Sequence, residues 1–462
     1  MHDVIRWCRL QCRGGQGVLL LVIVVAAVLH LLLGNFSPRV VPDTSSYLRV
    51  ETWEQVLGGQ RTPFYGWLVL ALEPLVADYR ALPWLQYFSL AAAMLLLYRA
   101  ALRYGLSTSA ALALTLPLPF GNAALLFMNY IHPEILAISL LMMALACALV
   151  VAGGRAHWGW YLGLGGALGL SYLMKPGFLL FIALVPALVL VLGLHARAGT
   201  WQTVLQRAVV VGLIAVLPFM IYSSVRYVAV DHFHVVSFGG NAGLGLSGQI
   251  MNEGTLEQLP EEFHEPVRRL LERRERLEDE KIVLPLPISS THGEALYWSA
   301  VLGYFDIFAR NYDHIRRALY RELREEGQSW VEADARAQEF NRAVKTAEPL
   351  NYALYVVGAS TRFMGLLVTA NATFVPALVL LMLVVVVRRL QGWRGFDAES
   401  AGRAMVYNGV PILLITTAYV LASYIPSVAV TFPARRYVDT AGILMAALPL
   451  YLAWVLWAAR ER

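Results

Sequence analysis

VLLLVIVVAAVLHLLL, residues 18–33, follows a tail that contains Arg6, Arg9 and Arg13. A run of this length and apolarity can cross a bilayer as one helix, which needs roughly 20 apolar residues. No small-residue cleavage pattern follows the run before Arg39, so it is predicted to stay in the protein as a signal anchor. The basic flank predicts that the N-terminus lies in the cytoplasm.

Apolar runs recur along the chain. Hydrophobic residues make up 58% of the 462 positions and charged residues 15%, against about 45–50% and about 25% in soluble domains. Further spans are predicted near 83–102, 107–127, 133–152, 158–174, 177–194, 208–224, 373–390, 405–424 and 440–458. The sequence therefore predicts an all-α polytopic membrane protein with about ten crossings. The stretch 63–82 is predicted to be an interfacial helix, with a short span as the alternative.

The loops give these spans a direction. If the spans alternate, the basic loop residues share the side of the N-terminus: Arg99, Arg103, Arg155, Arg197, Arg207, Arg388, Arg389, Arg394, Arg460 and Arg462. This is the positive-inside pattern, so the net charge of +5 indicates topology rather than nucleic-acid binding. Both termini are predicted to be cytoplasmic, in a bacterial inner membrane.

Three regions follow from this topology. Residues 1–224 form an N-terminal transmembrane core whose first outer loop is 35–83, and residues 373–462 form the C-terminal spans. Between them, 225–372 is predicted to be a helical extracytoplasmic insertion.

Within the insertion, apolar residues spaced three and four apart from Trp298 to Leu323 predict an amphipathic helix. Residues 262–281 predict a second, highly charged helix that is ended by Pro285 and Pro287. The glycine-rich stretch from Ser237 to Gly248 is predicted to be a loop that can approach a ligand closely.

Polar residues collect on the predicted outer face, where charged groups near a membrane boundary suggest function. Asp43 precedes Thr-Ser-Ser, so helix capping and catalysis are equally good interpretations. Glu134 opens a span, where the helix dipole favours a carboxylate, and His132 lies beside it. Lys175 interrupts an apolar hairpin, which snorkelling to the interface would also explain.

A carboxylate among several cations suits transfer from a lipid-linked sugar phosphate. Cations can hold the phosphate and offset charge on the departing lipid phosphate. Asp43 would take the proton of the acceptor hydroxyl as that hydroxyl attacks the anomeric carbon. No nucleotide site is needed, because the sugar arrives activated on the lipid. No cofactor is predicted.

Five short motifs share this outer side: Asp43 with Tyr47, RTPFY at 61–65, MKPG at 174–177, EPLNY at 348–352 before a helix with Arg362, and ARRY at 434–437. Their order resembles that of the GT-C superfamily of membrane glycosyltransferases, which includes protein O-mannosyltransferases, aminoarabinose transferases and arabinosyltransferases. The resemblance covers most of the chain. It implies an inverting transferase that moves one sugar from a polyprenyl-phosphate donor to a cell-wall glycan, a lipid or a secreted protein such as a pilin.

The resemblance also assigns roles. It implies that Asp43 is the catalytic base and that either Arg435 or Arg436 binds the carrier phosphate, without choosing between the two. The other predicted substrate-binding residues are Tyr47, Arg61, Tyr65, His132, Lys175, Arg362 and Tyr437.

One departure from the family concerns a second carboxylate. Many relatives have two adjacent acidic residues in the first loop, whereas Thr44 follows Asp43 here. Glu51, Glu54 or Glu134 is left to supply the second carboxylate, and Glu134 is the predicted second catalytic residue. No metal ligand is predicted, although the resemblance leaves a divalent cation open.

Two other classes of protein remain as alternatives. An O-antigen polymerase or ligase uses similar donors but moves oligosaccharides, and such proteins usually place their large outer loop late. A transporter or flippase would carry out no chemistry. Transporters normally contain internal repeats and ionisable groups near the midplane, neither of which is evident here.

Overall fold

A computed structural model describes residues 2–50, 52–74, 77–284, 304–393, 396–429 and 434–458. Within these ranges the protein is helical and has no β-strand; an isolated bridge joins Arg39 to Tyr130. Nine helical segments there are long and apolar enough to cross a membrane. The predicted fold class, an all-α polytopic membrane protein, is confirmed.

The helices of the N-terminal region are α1 (His2–Leu32), α2 (Thr44–Leu48), α3 (Trp53–Gly58), α4 (Pro63–Leu72), α5 (Ala81–Tyr104), α6 (Thr108–Thr115), α7 (Asn122–Phe127), α8 (Glu134–Ala152), α9 (Trp158–Met174), α10 (Phe181–His195) and α11 (Trp201–Val230). Almost every residue of α8 is buried, and α5, α9 and α10 pack around it. This central helix begins at Glu134, so the packing of the bundle fixes that carboxylate at one end.

The remaining helices are α12 (Gly239–Ile250), α13 (Glu253–Leu256), α14 (His264–Asp279), α15 (Tyr304–Leu323), α16 (Trp330–Ala347), α17 (Pro349–Thr369), α18 (Phe374–Leu390), α19 (Ala398–Ala404), α20 (Val410–Ala429), α21 (Arg435–Ala441) and α22 (Ala447–Ala458). One apolar core joins α12, α14, α15 and α16 to α17 and to the facing sides of α20 and α21. The insertion therefore shares its core with the C-terminal helices.

Eight of the ten predicted spans coincide with candidate membrane-spanning segments. The other two are helical as well, but α9 and α18 have 17 residues each, at the low end of the roughly 17–25 residues of a spanning helix. The segment 63–82 contains the ten-residue α4, which at about 1.5 Å per residue is too short to span. This length agrees with the interfacial interpretation.

The segment 349–369, predicted to be an interfacial helix, forms α17, a continuous helix of 21 residues. By length and composition alone it is also one of the nine candidate spans, and its interfacial position stays a prediction. Its apolar residues are interrupted by Asn351, Ser360, Thr361 and Arg362, so no uniform apolar run marks it in the sequence.

The glycine-rich stretch from Ser237 to Gly248 does not form the predicted loop. Residues 239–250 form α12, which is buried almost throughout and packs against α15 and α16. A Cβ atom on Gly240 would overlap the carbonyl oxygen of Asp334, and one on Gly243 the side chain of Asn341. The glycines therefore serve close helix packing, a role they also have in membrane helices.

The amphipathic helix is confirmed from Tyr304 onward as α15, while 298–303 lies outside the described residues. The predicted stripe from Phe308 to Leu323 is buried against α12 and α14. The charged helix is present as α14, preceded by a short 3-10 turn at Glu261–Phe263. Pro285 and Pro287, predicted to end it, fall outside the described residues.

Gly240→Ala is expected to lower the free energy of unfolding by about 1–3 kcal/mol, because the added methyl group meets backbone that cannot move aside alone. Gly239→Ala is the matched control, since a Cβ there meets no described atom within 4 Å. Thermal unfolding of both variants in detergent provides the measurement. Equal melting temperatures would show that the close packing of α12 does not contribute to stability.

Candidate active site

The first loop is tied to the turn before α8. The backbone N–H of Arg39 donates to the Asn129 carbonyl at 2.7 Å, and the N–H of Ile131 donates to the Arg39 carbonyl at 3.1 Å. The Thr44 hydroxyl donates to the carbonyl of Ile131 at 3.2 Å. These bonds bring Asp43, next to Thr44, to the same end of the bundle as His132 and Glu134.

Three cationic or imidazole groups surround the Asp43 carboxylate. Arg436 Nη1 donates to its Oδ2 at 2.7 Å, Arg61 Nη2 lies at 3.8 Å and His132 Nε2 at 3.7 Å. The side chain is 37% exposed, so the carboxylate remains accessible. Arg61 is held in place by its neighbour Thr62, whose hydroxyl donates to the Leu173 carbonyl.

The structure does not support the capping interpretation of Asp43. Asp43 occupies the position before α2, but its carboxylate makes no capping hydrogen bond. Instead, its backbone carbonyl accepts from the N–H and the hydroxyl of Ser46, at 3.0 and 2.7 Å. The carboxylate is therefore available to the cluster of charges.

Glu134 forms the second half of the cluster. Its side chain is buried; Oε2 contacts His132 Nδ1, and Oε1 lies 3.5 Å from Lys175 Nζ. Lys175 also donates to the Thr440 hydroxyl at 3.5 Å and is only 12% exposed, so it does not snorkel to the surface. His132 lies between the two carboxylates, with Nδ1 at Glu134 and Nε2 3.7 Å from Asp43.

Aromatic rings pack around these groups. The Arg61 guanidinium lies 4.6 Å from the Tyr47 ring centre, and the Tyr47 ring meets the His132 and Tyr65 rings edge-on at 4.8 and 5.6 Å. The Tyr437 hydroxyl accepts from Arg436 Nη2 at 3.2 Å. Tyr47 and Tyr65 are buried, so they limit the freedom of Arg61 and His132.

Arg435 does not face the Asp43 carboxylate. The Arg435 side chain is 66% exposed, and its Nε lies 3.7 Å from Asp439 rather than beside Asp43. The structure thus brings Arg436, not Arg435, to Asp43. Arg362 lies within α17, and its role in binding stays a prediction.

The surroundings shift the titration of three groups. The pKa of Asp43 lies well below its usual range, because His132, Arg436 and Arg61 face the carboxylate and outweigh its burial. Burial lowers the pKa of His132 to about 4, so the imidazole is neutral at pH 7. Burial and Arg436 lower the pKa of Lys175, while the adjacent Glu134 carboxylate favours its charged form.

The cluster carries a positive excess. When Lys175 is charged, three cationic side chains face two carboxylates, since His132 is neutral. A partly buried site of this kind attracts an anion such as a phosphate. Within the described ranges no three His, Cys, Asp or Glu side chains gather closely enough to hold a metal ion. Glu51 lies outside those ranges, and the side chain of Glu54 is not described.

A cavity of about 620 Å³ adjoins the cluster. It is lined by Ser46, Arg49, Gln55, Gly58, Gly59, Gln60, Arg61, Val230, Ser329, Trp330 and Val331. Sequence reasoning missed Arg49 and Trp330. The first loop did contain a signal, because Arg39, Arg49 and Arg61 stand on the predicted outer side, against the positive-inside rule.

No known protein family, curated protein or solved structure matches this chain. The resemblance to GT-C glycosyltransferases rests on the short motifs alone. It stays a prediction, whereas the bringing together of Asp43, Glu134, His132, Lys175 and Arg436 is a feature of the structure.

Proposed function

We propose that this protein is an inverting glycosyltransferase that moves a sugar from a polyprenyl-phosphate donor to an acceptor on the periplasmic face of a bacterial inner membrane. The proposal is supported above all by one observation: the Asp43 carboxylate lies among Arg436, Arg61 and His132 at one end of an apolar helical bundle. A base next to phosphate-binding cations, within reach of lipid, is what this reaction requires.

The reaction divides among the residues of the cluster. Arg436 and Lys175 bind the donor phosphate. The acceptor oxygen forms a bond to the anomeric carbon while its proton passes to the Asp43 carboxylate. The bond from the anomeric carbon to the phosphate oxygen breaks, and the electron pair leaves with the polyprenyl phosphate. Glu134 keeps Lys175 and His132 in position.

The low pKa of Asp43 raises a difficulty, because a general base works best when its pKa is near the operating pH. Donor binding resolves it. A phosphate that shares Arg436 weakens the hold of that guanidinium on Asp43, so the carboxylate becomes more basic when the donor is present. The base is then strongest when the substrate is bound.

The two pH profiles of transfer are expected to differ. The kcat/KM profile reports the free enzyme, where Asp43 stays ionised well below its ordinary pKa of about 3.9, so no acid limb appears above about pH 5. The kcat profile reports the bound state and loses activity at a higher pH on the acid side. Steady-state kinetics between about pH 4.5 and about pH 8 give the kcat/KM profile and the kcat profile. Coincident acid limbs would contradict control of Asp43 by the donor.

The function itself is tested by finding the donor. In a strain that lacks the protein, the lipid-linked sugar it consumes should accumulate and can be identified by mass spectrometry of extracted lipids. The purified protein should then transfer that sugar from the synthetic phospholipid. Turnover of oligosaccharide diphosphates alone would favour a polymerase or ligase. Uptake driven by an ion gradient in vesicles would favour a transporter.

A further inference from the structure

The cavity next to the cluster lies where the first loop meets the insertion. Its walls come from Ser46, Arg49 and residues of the stretch 55–61, from the end of α11 and from the start of α16. Its size falls within the roughly 300–1,000 Å³ of small-ligand sites. Among the described lining residues, Val230, Trp330 and Val331 carry large apolar side chains, and the others are polar, charged or glycine, so the lining offers hydrogen-bonding groups to a polar ligand.

The charged side chains described in the cavity lining are both cationic. Arg49 and Arg61 line it, and none of the lining residues that the structure describes is acidic; Glu51 and the side chain of Glu54 are not described. In the part of the chain that the structure describes, Arg49 is exposed and has no ion-pair partner. Arg61 is paired with the Asp43 carboxylate at 3.8 Å, so the charge that favours an anionic ligand in this concave site is that of Arg49.

The cavity and the catalytic base share side chains. The Ser46 hydroxyl accepts from Arg61 Nε at 3.3 Å and donates to the Asp43 carbonyl at 2.7 Å. The Arg61 guanidinium itself lies 3.8 Å from the Asp43 carboxylate. A ligand in the cavity is therefore separated from the base by one side chain.

The two sides of Asp43 differ in character. Arg436 lies at the start of one candidate membrane-spanning segment and Lys175 lies next to another, whereas Arg49 and Trp330 lie in the first loop and the insertion. The lipid-linked donor fits the side of Arg436 and Lys175. A water-soluble, polar partner fits the side of Arg49 and Trp330.

We propose that this cavity is the acceptor subsite and that it takes a saccharide with an acidic group, either a carboxylate or a phosphate. This inference rests on the proposed function and specifies its acceptor class. Arg49 binds the acidic group, Gln60 lines the sugar-binding wall, and the acceptor hydroxyl reaches Asp43 past Arg61.

Calorimetric titration of the full-length protein in detergent tests the subsite. The probes are digalacturonate and trehalose 6-phosphate, with trehalose as the neutral control. At least one acidic probe should bind saturably and more weakly in high salt, and trehalose should not. Equal binding of neutral and acidic probes, or binding of neither acidic probe, would overturn the proposal.

Variants locate the binding. Arg49→Gln should weaken binding of the acidic probe at least about tenfold, since a charge-assisted contact is lost. Gln60→Glu, which adds a carboxylate to the same wall, should weaken it similarly by repulsion. Arg80→Gln, an exposed arginine of the same loop paired with Asp78, should bind normally. If both cavity variants bind as tightly as the parent protein, the ligand sits elsewhere and the assignment is wrong.

The titration is independent of the transfer reaction. Asp43→Asn should bind the acidic probe at least as tightly as the parent protein, because Asp43 does not line the cavity and its loss removes a negative charge beside Arg61. Binding without Asp43-dependent transfer would count against the proposed function but leave the subsite intact. Asp43-dependent transfer to neutral acceptors only would overturn the subsite and leave the proposed function standing.

Discussion

Replacing Asp43 with Asn is expected to lower sugar transfer by about 10²–10⁴-fold, the usual contribution of a general base. The amide has nearly the same shape and can still accept a hydrogen bond from Arg436, but it cannot take the proton of the acceptor hydroxyl. Transfer is measured with the purified protein and its lipid-linked donor. Membrane abundance, measured by immunoblot, should not change.

The fold should tolerate this substitution. The Asp43 side chain is 37% exposed, so losing its charge costs less than breaking a fully buried ion pair. The capping role that would have made Asp43 structural is absent. A large loss of abundance would therefore contradict the picture of an accessible carboxylate.

Asp78→Asn is the matched control. Asp78 lies in the same loop region, is 78% exposed and pairs only loosely with Arg80 at 3.7 Å. Its φ of 59° is a left-handed conformation that Asn adopts as readily as Asp. The control should transfer sugar normally. If Asp43→Asn also did, Asp43 could not be the base.

Most residues of the cluster could be predicted from the sequence, but the contacts between them could not. Hydropathy and loop charge predict that Asp43, Glu134 and Lys175 share one side of the membrane, and the structure brings the three side chains together through His132. The contacts depend on long-range backbone bonds, such as those of Arg39 with Asn129 and Ile131. No local pattern encodes such a pairing, so the position of Asp43 beside His132 could not be predicted.

The glycine-rich stretch misled prediction for a related reason. Glycine weakens helices in isolation, by about 1 kcal/mol per residue relative to alanine. In α12 the missing side chains allow α15 and α16 to approach, and the packing of those helices outweighs the low propensity. A sequence contains the propensity of α12 but not the identity of the helices that cover it.

The choice between Arg435 and Arg436 also needed the fold. Both residues begin α21, and neighbouring residues on a helix point about 100° apart, so only one of them can face Asp43. Which one does so depends on how α21 packs against α7, α17 and α20. The ARRY motif alone carries no information about that rotation.

Arg436→Gln is accordingly expected to lower transfer by about 10²–10³-fold, because it removes a donor from the phosphate and the partner of Asp43. Arg435→Gln should change transfer by less than about fivefold, since that side chain is 66% exposed and its ion pair is long. Assays of the two variants at equal protein concentration provide the comparison.

Arg436→Lys distinguishes charge from geometry. Lysine keeps the positive charge but cannot reproduce the two directed bonds of Arg436, at 2.7 Å to Asp43 and 3.2 Å to the Tyr437 hydroxyl. The transfer rate of Arg436→Lys should therefore lie between that of the parent protein and that of Arg436→Gln. If Arg435→Gln proved the more damaging change, the donor phosphate would bind on the exposed side of α21, and the role given to Arg436 would be wrong.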